Sequence, residues 1–467
     1  MFPDAATPVW TRATIAGCFV WFGARLLGLA VSVDGSVPPD EVTHVGRVLA
    51  HAATWGLPQS SPDNHALGLI SDRPFLYDWI LGRLAAFGLE DLLWLRVANV
   101  GMALATAAYG LRFIRVVSRE PLTHVVFLVC LTNTLMFTGI GAAVSYDNGV
   151  NLLAAAAFYY LARLCSNWDP RTLAVLLLAT GLGCLTKRSF LPLAALIVGA
   201  VVVHERRHLR DARTRLAGIG RPLSIGLVVV ALANVLLYGG NLVQYGRLVP
   251  SFDQVVGIEA ARQHRIFARD FILDGYRQGR IEYTEALKLT STIDHDADRE
   301  STRHQLASAK KRGDWRVPWF RYPLTWGYIM FDRSLGYFGH QVLHRSHWER
   351  VTFGLVLALA FVFQALAWRR ARSPLARGFG GIALAYGAVL LTLVNYPTYL
   401  EKGFIDAGVQ GRYLFLVWVP LMGWLACALT EDAPRFARLP VAAAVCALFI
   451  YSDGPTFWLR TTSAWFG

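Results

Sequence analysis

Apolar runs of about 18 to 22 residues recur almost from one end of the chain to the other. A run of this length is long enough to cross the hydrocarbon core of a bilayer as a helix. The pattern therefore predicts an all-α membrane protein, a polytopic bundle of about 11 transmembrane helices. The predicted spans cover residues 11–33, 93–116, 121–142, 147–164, 171–186, 188–204, 222–243, 350–370, 378–397, 411–429 and 438–458.

The composition excludes a soluble globular protein. Of 467 residues, 54% are hydrophobic and 16% are charged, whereas soluble domains carry about 25% charged residues. The mean hydropathy is +0.39. A net charge of +13 would suggest a nucleic-acid partner in a soluble protein, but in a membrane protein the cations report orientation. We therefore expect membrane lipids, and no nucleic acid, among the partners.

Arginines mark one side of the predicted bundle. They are frequent in the connection after every second span, most of all in residues 204–221. Because short cytoplasmic loops carry an excess of Lys and Arg, this pattern predicts a cytoplasmic N-terminus. Two long segments, residues 34–92 and 244–349, then lie outside. We expect a single membrane domain, residues 1–467, with helical external loops.

The first external loop, residues 34–92, carries the sharpest motif. It reads Pro39-Asp40-Glu41-Val-Thr-His44, which predicts a helix that begins at Glu41 with Asp40 as its N-cap. His44 then lies one turn further along. Asp40 is the candidate catalytic residue. The alternative is structural: Asp40 caps the helix, and Glu41 complements the helix dipole.

Further candidate binding residues fall on the same predicted side. Two adjacent cations at the turn between two spans run against the positive-inside trend, which favours a phosphate partner. A third cation, near the start of a late span, suits bidentate phosphate binding. An Asp-Asn pair begins the fourth span. These candidates are Asp147, Lys187, Arg188, Gln410 and Arg412.

Each of these candidates also has a structural interpretation. Lys187 and Arg188 are typical of interfacial cations that extend toward the headgroups. Arg412 has the acids Glu401 and Asp406 nearby in sequence. Asp147 is well placed to cap the fourth span.

Five motifs in this order resemble the polytopic glycosyltransferases of the GT-C superfamily. The chain is similar to the protein O-mannosyltransferase and lipid A aminoarabinose transferase families, and to related bacterial members without an assigned activity. The motifs are the Asp40–His44 segment, Ser145-Tyr146-Asp147-Asn148, Thr186-Lys187-Arg188, Arg333-Ser-Leu-Gly-Tyr-Phe-Gly339 and Gln410-Gly411-Arg412-Tyr413.

The resemblance implies a GT-C-like fold and a glycosyltransferase. Its donor would be a polyprenyl-phosphate-linked sugar, and its acceptor a glycan, lipid or protein hydroxyl. Asp40 would be the general base of a single, inverting displacement, with Glu41 and His44 orienting the acceptor or the base. Asp147, Lys187, Arg188, Gln410 and Arg412 would bind substrate. The implied location is the bacterial cytoplasmic membrane, with the active site on the outer face. Residues 246–330 match none of these motifs, and we expect acceptor recognition in this second external loop, residues 244–349.

Other functions and a metal stay open at this point. A transporter or flippase of lipid-linked saccharides is the competing class, and a receptor or scaffold is a third.

The sequence predicts no cofactor, and a divalent metal is an alternative that is not predicted. His340, His344 and His347 have a spacing compatible with a helical metal site, but no acid or cysteine completes the set. The six cysteines lie in or beside apolar runs without a CxxC pair, as packing residues do.

Overall fold

The computed structural model describes residues 8–69, 72–210, 219–293, 296–312, 317–338, 341–343, 347–367, 374–402, 405 and 408–466. These residues are almost entirely helical. Their only strands are β1 (Tyr337–Phe338) and β2 (Gln341–Val342), which pair antiparallel, and a single bridge joins Val33 to Phe466. The all-α prediction is confirmed.

The described part of the chain up to Tyr245 contains eleven helices. They are α1 (Val9–Ser32), α2 (Glu41–Ala52), α3 (Pro62–Ala66), α4 (Leu76–Ala86), α5 (Leu92–Val117), α6 (Pro121–Thr132), α7 (Leu135–Gly141), α8 (Tyr146–Ser166), α9 (Pro170–Thr186), α10 (Phe190–Arg210) and α11 (Arg221–Tyr245). A π-helical stretch, Val235–Gly239, lies within α11. Helices α2 to α4 belong to the first predicted external loop.

Ten further helices are described in the rest of the chain. Short helices fill the second predicted external loop, and four apolar helices follow them. They are α12 (Phe252–Val256), α13 (Ile258–Ala261), α14 (Arg265–Arg277), α15 (Tyr283–Leu289), α16 (Asp296–Arg312), α17 (Tyr322–Leu335), α18 (His347–Leu366), α19 (Pro374–Glu401), α20 (Gly411–Thr430) and α21 (Arg438–Arg460).

Every predicted span overlaps a described helix, but not all of these helices are long enough to cross a membrane. Eight described helices are: α1, α5, α8, α11, α18, α19, α20 and α21. Helices α6 and α7 form a ninth apolar segment that bends by 66°. Helix α9 and the apolar part of α10 are shorter. The chain is therefore a multi-pass membrane-type bundle, and the count of eleven crossings stays a prediction.

The burial pattern is that of a bundle with a protein-filled centre and an apolar outside. Helix α20 lies at the centre. In its most apolar 18-residue stretch 83% of the residues are buried, whereas in that of α11 only 11% are buried. The outward face of α11 carries large exposed apolar side chains, among them Val228, Val229 and Leu236. A continuous exposed apolar face of this kind suits contact with lipid tails.

Contacts between helix ends define two ends of the bundle. At one end, Arg412 near the start of α20 lies beside Asp40 and Asp147. We call this the site end. At the opposite end, the start of α6 meets the end of α20, where Thr123 and Thr430 hydrogen-bond at 2.7 Å. The candidate residues of the sequence thus share one end of the bundle, as the alternation of the spans predicts.

A close backbone contact fixes the start of α20. The carbonyl oxygen of Gly411 accepts a hydrogen bond from Ser334 Oγ at 3.2 Å, and Val409 accepts one from Arg333. A Cβ added at Gly411 would lie 2.3 Å from the carbonyl carbon of Arg333. Only glycine allows α17 and α20 to approach this closely, and the approach places Arg412.

We therefore expect Gly411→Ala to destabilise the fold by about 1–3 kcal/mol, the usual cost of overpacking. Thermal unfolding of the purified protein in detergent measures the effect. The matched control is Gly387→Ala, because a Cβ at Gly387 meets nothing within 4 Å. Equal melting temperatures for the two variants would contradict the assigned contact.

Candidate functional site

Asp40 adopts a backbone conformation that is uncommon for a residue with a side chain. Its φ is 63° and its ψ is 11°, and no other described non-glycine residue has a positive φ. Asp and Asn tolerate this left-handed region better than other residues. Asp40 stands at the N-cap of α2, as the sequence predicts, but its side chain makes no capping hydrogen bond. The capping interpretation of the Asp40 side chain is therefore wrong.

The Asp40 carboxylate joins a buried row of alternating charges. Arg412 Nη2 donates to Asp40 Oδ2 at 2.7 Å, and Arg412 Nη1 lies 3.8 Å from Asp147 Oδ2. Lys187 Nζ donates to Asp147 Oδ1. We call Asp40, Arg412, Asp147 and Lys187 the charge row. It links α2, α20, α8 and the end of α9.

Burial distinguishes Asp40 from the other members of the charge row. Its side chain is 24% exposed, whereas those of Arg412, Asp147 and Lys187 are 5%, 2% and 8% exposed. Asp40 is thus the carboxylate that a bound molecule can reach. Arg412 pairs with these two acids rather than with Glu401, and Asp406 lies outside the described residues.

Two tyrosines that the sequence analysis did not single out line the same place. Lys187 Nζ lies 4.5 Å from the ring centre of Tyr146 and 5.2 Å from that of Tyr413. The ring of His44 meets Tyr146 edge-on at 4.3 Å. Both tyrosines stand next to a candidate in sequence, Tyr146 before Asp147 and Tyr413 after Arg412. That adjacency is the signal that would have found them.

Several buried polar atoms beside the charge row have no hydrogen-bond partner. These are Arg412 Nε, Arg412 Nη1 and both ring nitrogens of His44. Buried polar groups are nearly always partnered in folded proteins, so each such orphan needs an explanation. Burial, followed by the positive charge of Arg47, lowers the pKa of His44 to about 3. His44 is therefore a neutral imidazole that can hydrogen-bond a neutral ligand.

Glu41 has different surroundings from Asp40, although the two are neighbours. Arg96 donates to both Glu41 oxygens, Nε to Oε1 at 2.9 Å and Nη2 to Oε2 at 2.6 Å. The Val144 amide also donates to Oε1, at 2.7 Å. Arg96 in turn donates to the carbonyl oxygens of Ala30 and Val33. These contacts tie the start of α2 to α1 and α5 and so position Asp40. The substrate-binding role of Glu41 stays a prediction.

Arginines from the first loop and from the α9–α10 turn form a second positive group. Burial, followed by the charges of Arg188 and Arg47, lowers the pKa of Arg73 to about 9. Arg73 Nε has no hydrogen-bond partner, and its guanidinium lies over the Phe252 ring at 5.1 Å. Arg188 is exposed. Cations held near one another are typical of an anion site.

Sequence reasoning missed Arg47 and Arg73, and it left the surroundings of Gln410 open. Arg47 follows His44 by less than one turn of α2, and Arg73 opens the segment Arg73-Pro74-Phe75. A positive charge near a candidate motif was the available signal.

Gln410 precedes the 3₁₀ turn of α20, and its carbonyl accepts from the Tyr413 amide at 3.0 Å. Its substrate-binding role stays a prediction.

The described residues contain no group of three or more His, Cys, Asp or Glu side chains placed to hold a metal. Two of the three histidines considered from the sequence, His340 and His344, lie outside the described residues. His347 begins α18. The metal alternative thus gains no support from the described part of the chain.

No family model, curated protein or solved structure matches the chain. The resemblance to GT-C enzymes therefore rests on the motifs alone. The case for a function comes from the residues at the site end.

The Glu41–Arg96 pair generates the first prediction for this site. Removing one member leaves the other as a buried, unpaired charge, so Arg96→Met is expected to cost about 3–5 kcal/mol of stability. The double variant Glu41→Met/Arg96→Met has no orphaned charge and should be the more stable of the two. Thermal unfolding of Arg96→Met, Glu41→Met and the double variant measures the coupling. A double variant as unstable as the sum of the single variants would contradict the pairing.

The neutral state of His44 generates a second prediction. The unfolded chain protonates this histidine below pH 6.5, while the folded chain resists protonation until about pH 3. The contribution of the buried neutral His44 to the free energy of unfolding is therefore fully present above pH 6.5. It is lost as the pH falls below that value. The stability advantage of wild type over His44→Phe should fall by up to roughly 2 kcal/mol between pH 7 and pH 4.5.

Thermal unfolding of both proteins across that pH range tests the His44 prediction. His304→Phe is the control, because His304 is exposed on α16 and its ring is solvated in both states. A constant difference between wild type and His44→Phe at every pH would show that His44 is not buried as a neutral ring.

Proposed function

We propose that this protein is a glycosyltransferase. It moves a sugar from a polyprenyl-phosphate donor to an acceptor hydroxyl at the site end of the bundle, with inversion at the anomeric carbon. The observation that carries the proposal is the state of Asp40: it is the accessible carboxylate of an otherwise buried charge row, beside unpartnered donors of Arg412.

Asp40 acts as the general base. The acceptor hydroxyl gives its proton to the Asp40 carboxylate while its oxygen forms a bond to the anomeric carbon. The bond from that carbon to the phosphate oxygen breaks, and its electron pair leaves with the polyprenyl phosphate. General-base assistance of this kind contributes about 10²–10⁴-fold. The 2.7 Å hydrogen bond from Arg412 fixes the direction of the carboxylate.

The leaving phosphate needs positive charge that other residues do not already neutralise. Lys187 and Arg412 are paired with acids, so the exposed Arg188 and the partly unpartnered Arg73 are the better phosphate ligands. Arg188 lies at the turn into α10. Beside that turn, Tyr238 of α11 donates to the Cys184 carbonyl at 2.6 Å. The exposed apolar face of α11 supplies a surface for the prenyl chain.

The second external loop, residues 244–349, supports acceptor recognition. Phe252 of α12 lies against Arg73, and the His264 ring is placed 2.8 Å from the position that a Cβ on Gly68 would take. The second loop therefore packs on the part of the first loop that carries Gly68 and Arg73. An acceptor glycan, lipid or protein enters between these two loops.

The location follows from the same distribution of charge. In the short connections between spans, arginines lie at the end of the bundle opposite Asp40, among them Arg112, Arg115 and Arg163. The positive-inside rule assigns that end to the cytoplasm. The chain is then a bacterial cytoplasmic-membrane protein with its N-terminus inside and its active site on the outer face.

One observation favours a transporter or flippase as a second candidate. Helices α6 and α7 are broken at Asn133, which accepts from Arg25 at 3.0 Å. Arg25 also pairs with Asp453. Broken helices with polar partners inside the bundle are a feature of transporters. A transporter has no use for a base at Asp40, so the two functions separate experimentally.

Asp40→Asn is expected to lower turnover at least about 10²-fold, since the amide cannot accept the acceptor's proton. The assay supplies polyprenyl-phosphate hexoses to the full-length protein in liposomes with membrane acceptors, and it measures release of polyprenyl phosphate. Donor binding should stay close to wild type. The melting temperature should fall only modestly, because Asp40 is partly exposed and Arg412 keeps Asp147 as a partner. The control is Asp63→Asn, which changes an exposed acid of the same loop.

Undiminished turnover in Asp40→Asn would overturn the assigned base. Movement of the lipid-linked sugar across the liposome membrane without its transfer, unchanged in Asp40→Asn, would instead favour the transporter.

A further inference from the structure

A large cavity lies between α1, α5 and α8, far from the charge row. Its volume is about 990 Å³. Its lining includes apolar side chains, among them Ile15, Phe19 and Leu111. It also includes four arginines and two tyrosines: Arg12, Arg112, Arg115, Arg163, Tyr159 and Tyr160. We call this cavity the arginine groove.

The arginine groove carries a strong positive charge. No carboxylate is among its described lining residues. The guanidinium groups of Arg112 and Arg163 lie over the rings of Tyr109 and Tyr159, at 5.4 and 5.9 Å. Arg163 acts electrostatically on Asp169, but that carboxylate already caps α9, accepting from Thr172 Oγ1 at 2.7 Å.

The groove lies at the membrane surface opposite the site end. Arg163 follows Asp147 by sixteen residues on α8, which is roughly 24 Å along a helix. Arg112 follows Arg96 by the same number of residues on α5. This separation approaches the thickness of a hydrocarbon core, about 30 Å. The arginines are therefore at headgroup depth, and the apolar wall extends toward the acyl chains.

We propose that the arginine groove binds one anionic phospholipid. The headgroup phosphate lies among Arg12, Arg112 and Arg163, and one acyl chain follows the wall formed by Ile15 and Phe19. Guanidinium groups match the oxygens of a phosphate in geometry and charge. Tyrosines are enriched at this depth, and basic pockets between membrane helices on the cytoplasmic side bind acidic lipids. This site is independent of the proposed transferase reaction.

Native mass spectrometry of the full-length protein in nonionic detergent tests the proposal. The probes are dioleoyl phosphatidylglycerol and dioleoyl phosphatidylcholine, which share acyl chains and differ in charge. Wild type is expected to bind phosphatidylglycerol at least tenfold more tightly. Arg112→Gln/Arg163→Gln should lose that preference. The matched control, Arg119→Gln/Arg435→Gln, removes equal charge from exposed positions outside the groove and should keep the preference within twofold.

A second variant tests the apolar wall without changing charge. Ala16 lines the groove and is exposed, so Ala16→Phe fills the space for the acyl chain without disturbing the core. It should weaken phosphatidylglycerol binding about tenfold, and millimolar inorganic phosphate should not displace the lipid from wild type.

Three results would overturn the lipid site. If the groove variant and the control variant lost the preference for phosphatidylglycerol equally, that preference would reflect the overall charge of the protein. Equal binding of the two lipids by wild type would remove the role of the arginines. Displacement by inorganic phosphate, with no effect of Ala16→Phe, would assign the groove to a free anion rather than to a lipid.

Discussion

The structure of the site end depends on burying two acids and two cations side by side. Asp40, Arg412, Asp147 and Lys187 come from four segments that are far apart in sequence, and their charges alternate. Burying a single charge is costly, so each member is stable there only because its neighbours have the opposite sign. The charge row therefore fixes the relative positions of α2, α8, α9 and α20. Asp40 alone keeps part of its surface exposed, and the proposed chemistry uses that exposure.

Hydropathy and charge predicted much of this arrangement, and the remainder needed three-dimensional contacts. The alternation of spans was enough to expect Asp40, Asp147, Lys187 and Arg412 at one end, and the motif at Asp40 predicted the start of α2. The sequence did not reveal that Glu41 pairs with Arg96, because such a pair depends on how α2 packs against α5. It also did not reveal that Lys187 pairs with Asp147, and the substrate-binding role of Lys187 stays a prediction. The lengths of α9 and α10 also leave the number of crossings open.

The two ends of the bundle present different chemistry to the membrane. The site end combines an accessible carboxylate with the cations Arg73 and Arg188, as a base and a leaving phosphate require. The opposite end holds the arginine groove, roughly 24 Å away along α8. Between them lies a buried bundle with an apolar exterior on α11. This distribution suits an enzyme that takes a lipid-linked donor from the membrane and reacts it at one surface.

The most direct test is a cryo-EM structure of the full-length protein with a polyprenyl-phosphate hexose, using Asp40→Asn to prevent turnover. The account predicts phosphate density within hydrogen-bond distance of Arg188 or Arg73, prenyl density along α11, and the anomeric carbon facing position 40. A phosphate bound elsewhere, or a lipid passing through the bundle beside Arg25 and Asp453, would contradict it.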